Sequence, residues 1–345
     1  MTADPLPSPH PAGRPTGRDV ARLAGVSQAT VSLVFTSPDS SNRVSAATRA
    51  KVKAAARRLG YRPQRAGRHL RLGRAEMILL AVPDPLAPFF SRVLDGAQKE
   101  AATRGLAVVA SGTADSTALD DLVDAGRFDG LLICSPEDGL TPGMPPQIAA
   151  VYLDADPARA ADSPVIEFDF APGMQQTVEH LRELGHHRIG RLCITHPSYT
   201  FRARQAAFTK AAIGFDVTSL AIPLSSGGTE ARLAAHRLLS TPDRPTVVVC
   251  DDSVATAGVY QVAADLGLRI PDDLSVIGLD NGSLAALVTP PLTTIDLPGE
   301  ELGRQGIQLL ACLLHGTPPP PASTLVTSLK MRASTRAPHR HMPRR

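Results

Sequence analysis

The chain has no tryptophan, 4 tyrosines and 9 phenylalanines in 345 residues. Its 43% apolar content is therefore mostly aliphatic, and it is enough for a substantial core. Cysteine is equally scarce. Cys134, Cys193, Cys250 and Cys312 lie far apart with no CxxC pair, which excludes a zinc ribbon or a disulfide framework. Most of them follow or end apolar runs, so buried reduced thiols are expected. No run of eighteen apolar residues occurs, and no membrane span is expected. The opening stretch MTADPLPSPHPAG is proline-rich and lacks the apolar centre of a signal peptide. It reads as a disordered lead (1–17) on a cytoplasmic protein. Neither GxSxG nor HExxH is present. Ser225-Ser226-Gly227-Gly228 has neither the lysine nor the spacing of a phosphate loop, and reads as a plain loop. His186-His187 reads as structural rather than as a metal pair, and Asp251-Asp252 as pocket acceptors or surface acids. No catalytic residue, metal or cofactor is expected.

What is present is asymmetric. Residues 1–74 carry 14 Lys/Arg against 3 Asp/Glu, whereas residues 75–329 carry 16 against 30, and the last sixteen residues add six basic side chains and no acid. A small basic head on a large acidic body points to a polyanion-binding module joined to something else. The length itself predicts two or three folded units.

The head is organised around RDVARLAGVSQATVSLVF, residues 18–35. Two short helical patterns flank a turn at Gly25-Val26, with Ser27 as N-cap of the second. On that second helix Val31 and Val34 face inward, while Gln28, Ala29, Ser32 and Leu33 share another face of small, uncharged groups suited to a major groove. A polar loop follows. A third helix is expected from the cap Ser45 to Leu59, with Val52, Ala55, Ala56 and Leu59 as its apolar stripe, Arg49 among its surface cations, and Gly60 beyond its end. Residues 64–72 are basic and interrupted by Gly67, so they predict a helix that forms only with a partner.

From Met77 the pattern changes. Apolar runs at 77–84, 107–111, 130–134, 149–153, 165–168, 189–194, 246–250, 274–279 and 325–329 alternate with helical patterns at 89–104, 173–184, 201–212, 229–239, 255–266 and 299–314. Two-sided apolar strands between helices mean buried parallel sheets. About 260 residues divide better into two α/β lobes than into one sheet, with a ligand between them at the strands' carboxyl ends.

At this point the residues resemble a known family. Asp19-Val20-Ala21, Ala24-Gly25-Val26-Ser27 and Thr30-Val31-Ser32 are similar to the opening signature of the LacI/GalR family of bacterial transcription regulators. The likeness continues in order through Val44-Ser45 and Thr48-Arg49, then Leu59-Gly60-Tyr61-Arg62-Pro63, Pro88-Phe89-Phe90, Leu184-Gly185-His186, Arg204, Pro271-Asp272-Asp273, Val276-Ile277-Gly278-Leu279-Asp280, Pro291-Leu292-Thr293-Thr294-Ile295 and Arg332-Ala333-Ser334-Thr335.

The resemblance implies a three-helix helix-turn-helix DNA-binding head (18–63), a hinge helix (64–75) and a two-lobed, periplasmic-binding-protein-like effector core (76–337). In the core, 76–171 and 299–325 would form one parallel-sheet subdomain, and 172–298 and 326–337 the other, with 338–345 a basic tail. It implies a homodimer on a palindromic operator, with Gln28, Ala29 and Leu33 in the base-reading slots, Ser27, Thr30, Thr48 and Arg49 near phosphates, and Ser32, Arg43 and Tyr61 also among the DNA-binding residues. Gln64 and Leu70 belong to the hinge, Leu70 as a minor-groove wedge. Leu33 stands where many members carry a guanine-reading arginine, Gly67 replaces a usual alanine, and 111–129 is shorter than the family norm. A sugar-like effector would meet Phe89, Phe90, Ser198, Thr200, Arg204, Asp252 and Asp280. The implied function is a repressor, not an enzyme. A solute-binding protein and a ligand-independent regulator stand as the alternatives.

Overall fold

The computed structural model describes residues 15–36, 44–61, 75–112, 127–138, 148–159, 163–224, 227–320 and 323–338. The chain divides into two compact units, Met1–Arg74 and Ala75–Arg345.

The first unit holds α1 (Gly17–Ala24), α2 (Gln28–Thr36) and α3 (Ala46–Leu59). α1 begins two residues earlier than the sequence pattern shows. Thr16 caps it by accepting from the Asp19 amide, and the Asp19 carboxylate returns to the Thr16 amide, a reciprocal capping box. α1 ends at Gly25, whose φ of 65° lies in the left-handed region that a side chain resists. That reversal lets α1 and α2 share one small core: Val20, Ala21, Val31, Val34, Val52, Ala55 and Ala56 are buried together.

The second unit is α/β. Its first lobe has a six-stranded sheet of order β11-β5-β4-β3-β1-β2 among the described residues, with β1 Met77–Val82, β2 Ala107–Gly112, β3 Gly130–Cys134, β4 Ala149–Leu153, β5 Val165–Asp169 and β11 Thr324–Val326. Every pairing in it is parallel. Helices α4 (Pro88–Thr103) and α10 (Gly299–Leu314) pack on it and on each other. They cross closely: a Cβ on Gly303 would lie 2.0 Å from the Val93 carbonyl oxygen, so no side chain fits there.

The second lobe has the order β12-β10-β9-β8-β6-β7, built from β6 Arg188–Thr195, β7 Asp216–Pro223, β8 Val247–Cys250, β9 Ser275–Leu279, β10 Thr293–Asp296 and β12 Ser328–Lys330. Its helices are α5 (Ala171–Glu183), α6 (Tyr199–Ala211), α7 (Gly227–Leu239), α8 (Ser253–Asp265) and the short α9 (Ser283–Leu287). α7 starts inside the glycine stretch expected to be plain loop.

β1, β3, β8 and β9 are buried almost throughout, as their unbroken apolar runs require. Two strands escaped the sequence reading. β7 lies at a sheet edge and is largely exposed, so it carries no apolar run, and β10 is Thr-Thr-Ile-Asp. The run at 325–329 is two strands in two sheets, β11 and β12, separated by Thr327 alone. β12 pairs antiparallel with β10. Val326 thus sits in the first sheet, one residue past the expected boundary. The chain passes between the lobes at Asp169–Ala171, Asp296–Gly299 and Thr327. Thr327 is fixed there, its hydroxyl donating to the Asp169 carbonyl at 2.9 Å. Cys134 and Cys250 are buried, while Cys193 and Cys312 are half-buried. Among the described residues no helix is long and apolar enough to cross a membrane.

Candidate functional site

In the first unit, Ser27 Oγ accepts from the Thr30 amide at 3.1 Å and lies 2.9 Å from the Thr30 hydroxyl, which fixes the start of α2. Burial of Val31 and Val34 leaves Gln28, Ala29 and Ser32 exposed on the opposite side, with Leu33 half-buried beside them. Arg18, on α1, reaches this face and donates from Nε to Gln28 Oε1 at 3.4 Å.

The third helix departs from expectation. Thr48 lies 2.9 Å from Ser45 Oγ through its hydroxyl and serves the α3 cap. Arg49 is not on the outer surface. It is buried and donates to the Val34 carbonyl oxygen at 3.2 Å, satisfying an acceptor at the end of α2. The spacing shows why: Arg49 precedes Val52 and Ala56 by three and seven residues and shares their inward stripe. Tyr61 is half-buried, its ring 5.9 Å from that of Phe35. Arg43, Gln64 and Leu70, with the whole 64–72 stretch, lie outside the described residues.

In the second unit, the strands' carboxyl ends meet between the lobes. Ser135, Asp154 and Asp280 directly follow β3, β4 and β9 and all have positive φ, at 47°, 50° and 81°. Such backbone costs free energy in any residue but glycine, and strain of this kind clusters at binding and active sites. Ser135 Oγ donates to Asp154 Oδ2 at 2.8 Å. From the facing lobe, α6 contributes Ser198 at its N-cap position and Thr200 and Arg204 four residues apart, all buried. The Arg204 guanidinium lies over two rings, 4.9 Å from the Phe201 centroid and 5.3 Å from that of Phe170. Phe170 begins a row of rings running through Phe168 and Phe89 to Phe90.

Burial raises the pKa of Asp154, against which the Arg204 charge and the Ser135 and Thr200 hydroxyls act. Burial also raises Asp252, which caps α8 by accepting from the Ala255 amide at 2.6 Å. Ser198 Oγ, Arg204 Nε and Arg92 Nε are buried with no partner among the described residues. Unpaired buried donors are costly, and together they describe a lining built for a polar ligand.

Phe89 is half-buried, whereas Phe90 belongs to the first lobe's core on the same α4 stripe as Val93, Ala97 and Ala101. Asp280 does not offer a free carboxylate: Arg92 of α4 crosses to it and also donates to the Leu297 carbonyl at 2.6 Å. Further links span the lobes. The Asp138 amide donates to the Pro197 carbonyl at 2.6 Å, His196 Nε2 lies 3.1 Å from Glu137 Oε1, and Arg202 pairs with Asp138. Tyr199 donates to Glu167 at 3.1 Å; burial and that carboxylate push its pKa up to about 12.

Asp251 is neither a pocket acceptor nor a surface acid. It is buried against Arg191, which the sequence reading did not single out. His186 is structural, its ring held between the Thr246 hydroxyl at 2.8 Å and the Arg336 carbonyl at 2.9 Å. Ser135 and Asp154 also escaped notice, although both directly follow apolar runs, the position where a parallel sheet presents ligand contacts. Arg92 had no such signal, since its partner is 188 residues away.

Two family models match the chain. That of the bacterial regulatory proteins, lacI family, covers residues 16–64, and that of the periplasmic binding protein-like domain covers residues 178–335. The HTH-type transcriptional repressor CytR of Escherichia coli (strain K12) is 34% identical over 342 residues, 93% of this chain and 96% of its own. The ribose operon repressor of the same strain is 34% identical over 86% of this chain and 92% of its own. The crystal structure of the lac repressor dimer bound to operator and the anti-inducer ONPF is 27% identical with a TM-score of 0.75, covering 94% of this chain and all of that one. Taken with an exposed helix-turn-helix face and a polar cleft between two α/β lobes, these matches show that the chain belongs to the LacI family, as a DNA-binding transcriptional regulator and not an enzyme.

Proposed function

We propose that the protein is a homodimeric repressor that works in the cytoplasm on a palindromic operator, and that a small polyhydroxylated metabolite held between the lobes sets its DNA affinity. The observation that supports this reading best is the set of polar groups between the lobes: the buried Ser135, Asp154, Ser198, Thr200 and Arg204, with the half-buried Asp252, around a wall of phenylalanine rings. Such a lining suits a sugar or nucleoside, whose hydroxyls pair with the carboxylates and whose ring face packs on aromatics. Ligand binding favours one lobe arrangement over another, and operator affinity follows by linkage. A dimer, an operator and a bound small molecule occur together in the lac repressor structure, which holds a dimer on operator with the anti-inducer ONPF, and they fit this chain's head and cleft. A solute-binding protein would have no use for the head.

Two measurements test the reading. Duplex binding followed by gel shift is expected to fall about a thousandfold between 50 and 200 mM salt, as counterion release requires of several phosphate contacts. Calorimetric melting of the full chain with D-ribose, cellobiose, sorbitol and uridine is expected to show at least one stabilising compound. Failure to bind any duplex at low salt overturns the regulator; a silent panel with intact DNA binding favours the ligand-independent form. For the face itself, Leu33→Arg is expected to move selected operators toward guanine at one symmetric position, a preference of about 1–3 kcal/mol. Identical selected sites for both proteins would remove α2 from the groove.

A further inference from the structure

Arg191 is wholly buried in the middle of β6, a central strand of the second sheet, where its neighbours Ile189, Leu192 and Ile194 are apolar. A charge in such a place needs a reason. Stability does not supply one, since replacing a buried ion pair with well-packed apolar groups is often neutral or stabilising.

The partner of Arg191 shows what the charge does. Asp251 is the residue directly after β8, the position that Ser135, Asp154 and Asp280 occupy after β3, β4 and β9. By topology it belongs to the same ring of strand-end residues around the cleft. Yet its carboxylate is turned back into the sheet. Arg191 Nε and Nη2 reach Asp251 Oδ1 at 3.3 and 3.0 Å, and Nη2 reaches Oδ2 at 3.2 Å, while the Ile194 amide donates to Oδ2 at 3.3 Å. The remaining arm of the guanidinium, Nη1, donates to Gln205 Oε1 at 2.6 Å, and its plane lies 4.4 Å from the centroid of Phe208. Gln205 is the neighbour of Arg204 on α6, and Asp251 is the neighbour of Asp252. One buried guanidinium therefore ties together the two elements that carry the second lobe's share of the ligand lining.

We infer that Arg191 is a specificity-determining positioning residue of the effector site: it withdraws Asp251 from the cleft and holds the α6 helix that presents Thr200 and Arg204. This rests on the cleft being the effector site, as proposed above. With Arg191 in place Arg204 keeps a buried Nε that has no partner among the described residues, while its charge acts on Asp154, Asp252 and Asp280, so hydrogen bonds from that guanidinium remain for the ligand. Without Arg191, an unpaired Asp251 turns toward Arg204 and competes with the ligand for them.

The test compares wild type, Arg191→Met and the double variant Arg191→Met with Asp251→Asn, each as the full chain, with D-ribose, cellobiose, sorbitol and uridine as probes. Any probe that binds wild type is expected to bind R191M about tenfold to a hundredfold more weakly, the worth of a charge-assisted hydrogen bond lost to a competitor. Adding D251N is expected to restore affinity to within about threefold of wild type. Equal binding by wild type and R191M, or no recovery in the double variant, overturns the inference. Arg191→Gln is the second variant should the methionine fail to fold, since it keeps a donor in the sheet but no charge, and the same loss is expected. A crystal structure of the folded variant gives a readout free of ligand: the Asp251 carboxylate is expected within hydrogen-bond distance of Arg204, and its persistence against the β6 backbone overturns the inference. If none of the four compounds shifts wild type, the effector reading fails by itself and that structure alone decides the role of Arg191.

Discussion

At the scale of single residues, Arg49 shows how a charge pattern misleads when read without its face. Among six basic residues between 43 and 58 it looks like a phosphate contact. Its position on the Val52–Ala56 stripe turns it inward to the Val34 carbonyl. Arg49→Met is therefore expected to lower the stability of the head by about 1–3 kcal/mol, because a buried carbonyl loses a charged donor. The slope of log K for DNA against log salt is expected to stay unchanged, since that slope counts neutralised phosphates. Thermal unfolding and a salt series of gel shifts check both, and a slope smaller by about one unit would return Arg49 to the DNA backbone. Gln28, Ala29 and Leu33 were readable because helical periodicity alone separates them from Val31 and Val34. The cleft was half readable. Thr200 and Arg204 were expected only through the family resemblance, whereas the Arg92–Asp280 and Arg191–Asp251 pairs join residues distant in the chain, and no local pattern announces them.

At the scale of elements, the closing segment is bound into the second lobe like a further strand. Ser334 Oγ donates to the Val276 carbonyl at 2.6 Å and accepts from the Thr293 amide at 2.8 Å, and Arg332 Nη1 donates to the Leu292 carbonyl at 2.8 Å. His186 completes the attachment at the Arg336 carbonyl. Burial lowers its pKa from an ordinary 6.5 to about 4. Between those values the unfolded chain binds a proton that the folded imidazole refuses. The contribution of His186 to stability is thus complete above about pH 6.5 and is lost as pH falls toward 4, amounting to roughly 3 kcal/mol. His186→Gln is expected to flatten this part of the pH dependence of the melting temperature between pH 7 and 4.5. An unchanged slope in the variant would place the proton uptake on another group.

At the scale of the whole second unit, two lobes share three chain crossings and a set of polar links at the cleft mouth. Arg202 is half exposed, so its pair with Asp138 adds little to global stability. Its effect falls on the balance between lobe arrangements. Arg202→Ala is expected to change unfolding free energy by less than about 1 kcal/mol while raising amide exchange at residues 135–138 and 196–200, measured by hydrogen–deuterium exchange. Uniform exchange in both proteins would deny the link any part in holding the lobes. The sequence by itself determined the head, the alternation of strands and helices, and the pairing of a basic module with an acidic two-lobed body, because these rest on periodicity and charge within a few neighbouring residues. Only the tertiary structure decided which strand-end carboxylates face the cleft. Asp154 does, Asp280 is engaged by an arginine of the opposite lobe, and Asp251 is drawn into the sheet by Arg191. The reason is physical: a buried carboxylate takes whichever donor the fold brings to it, and those donors come from residues 19 to 188 positions away in the chain.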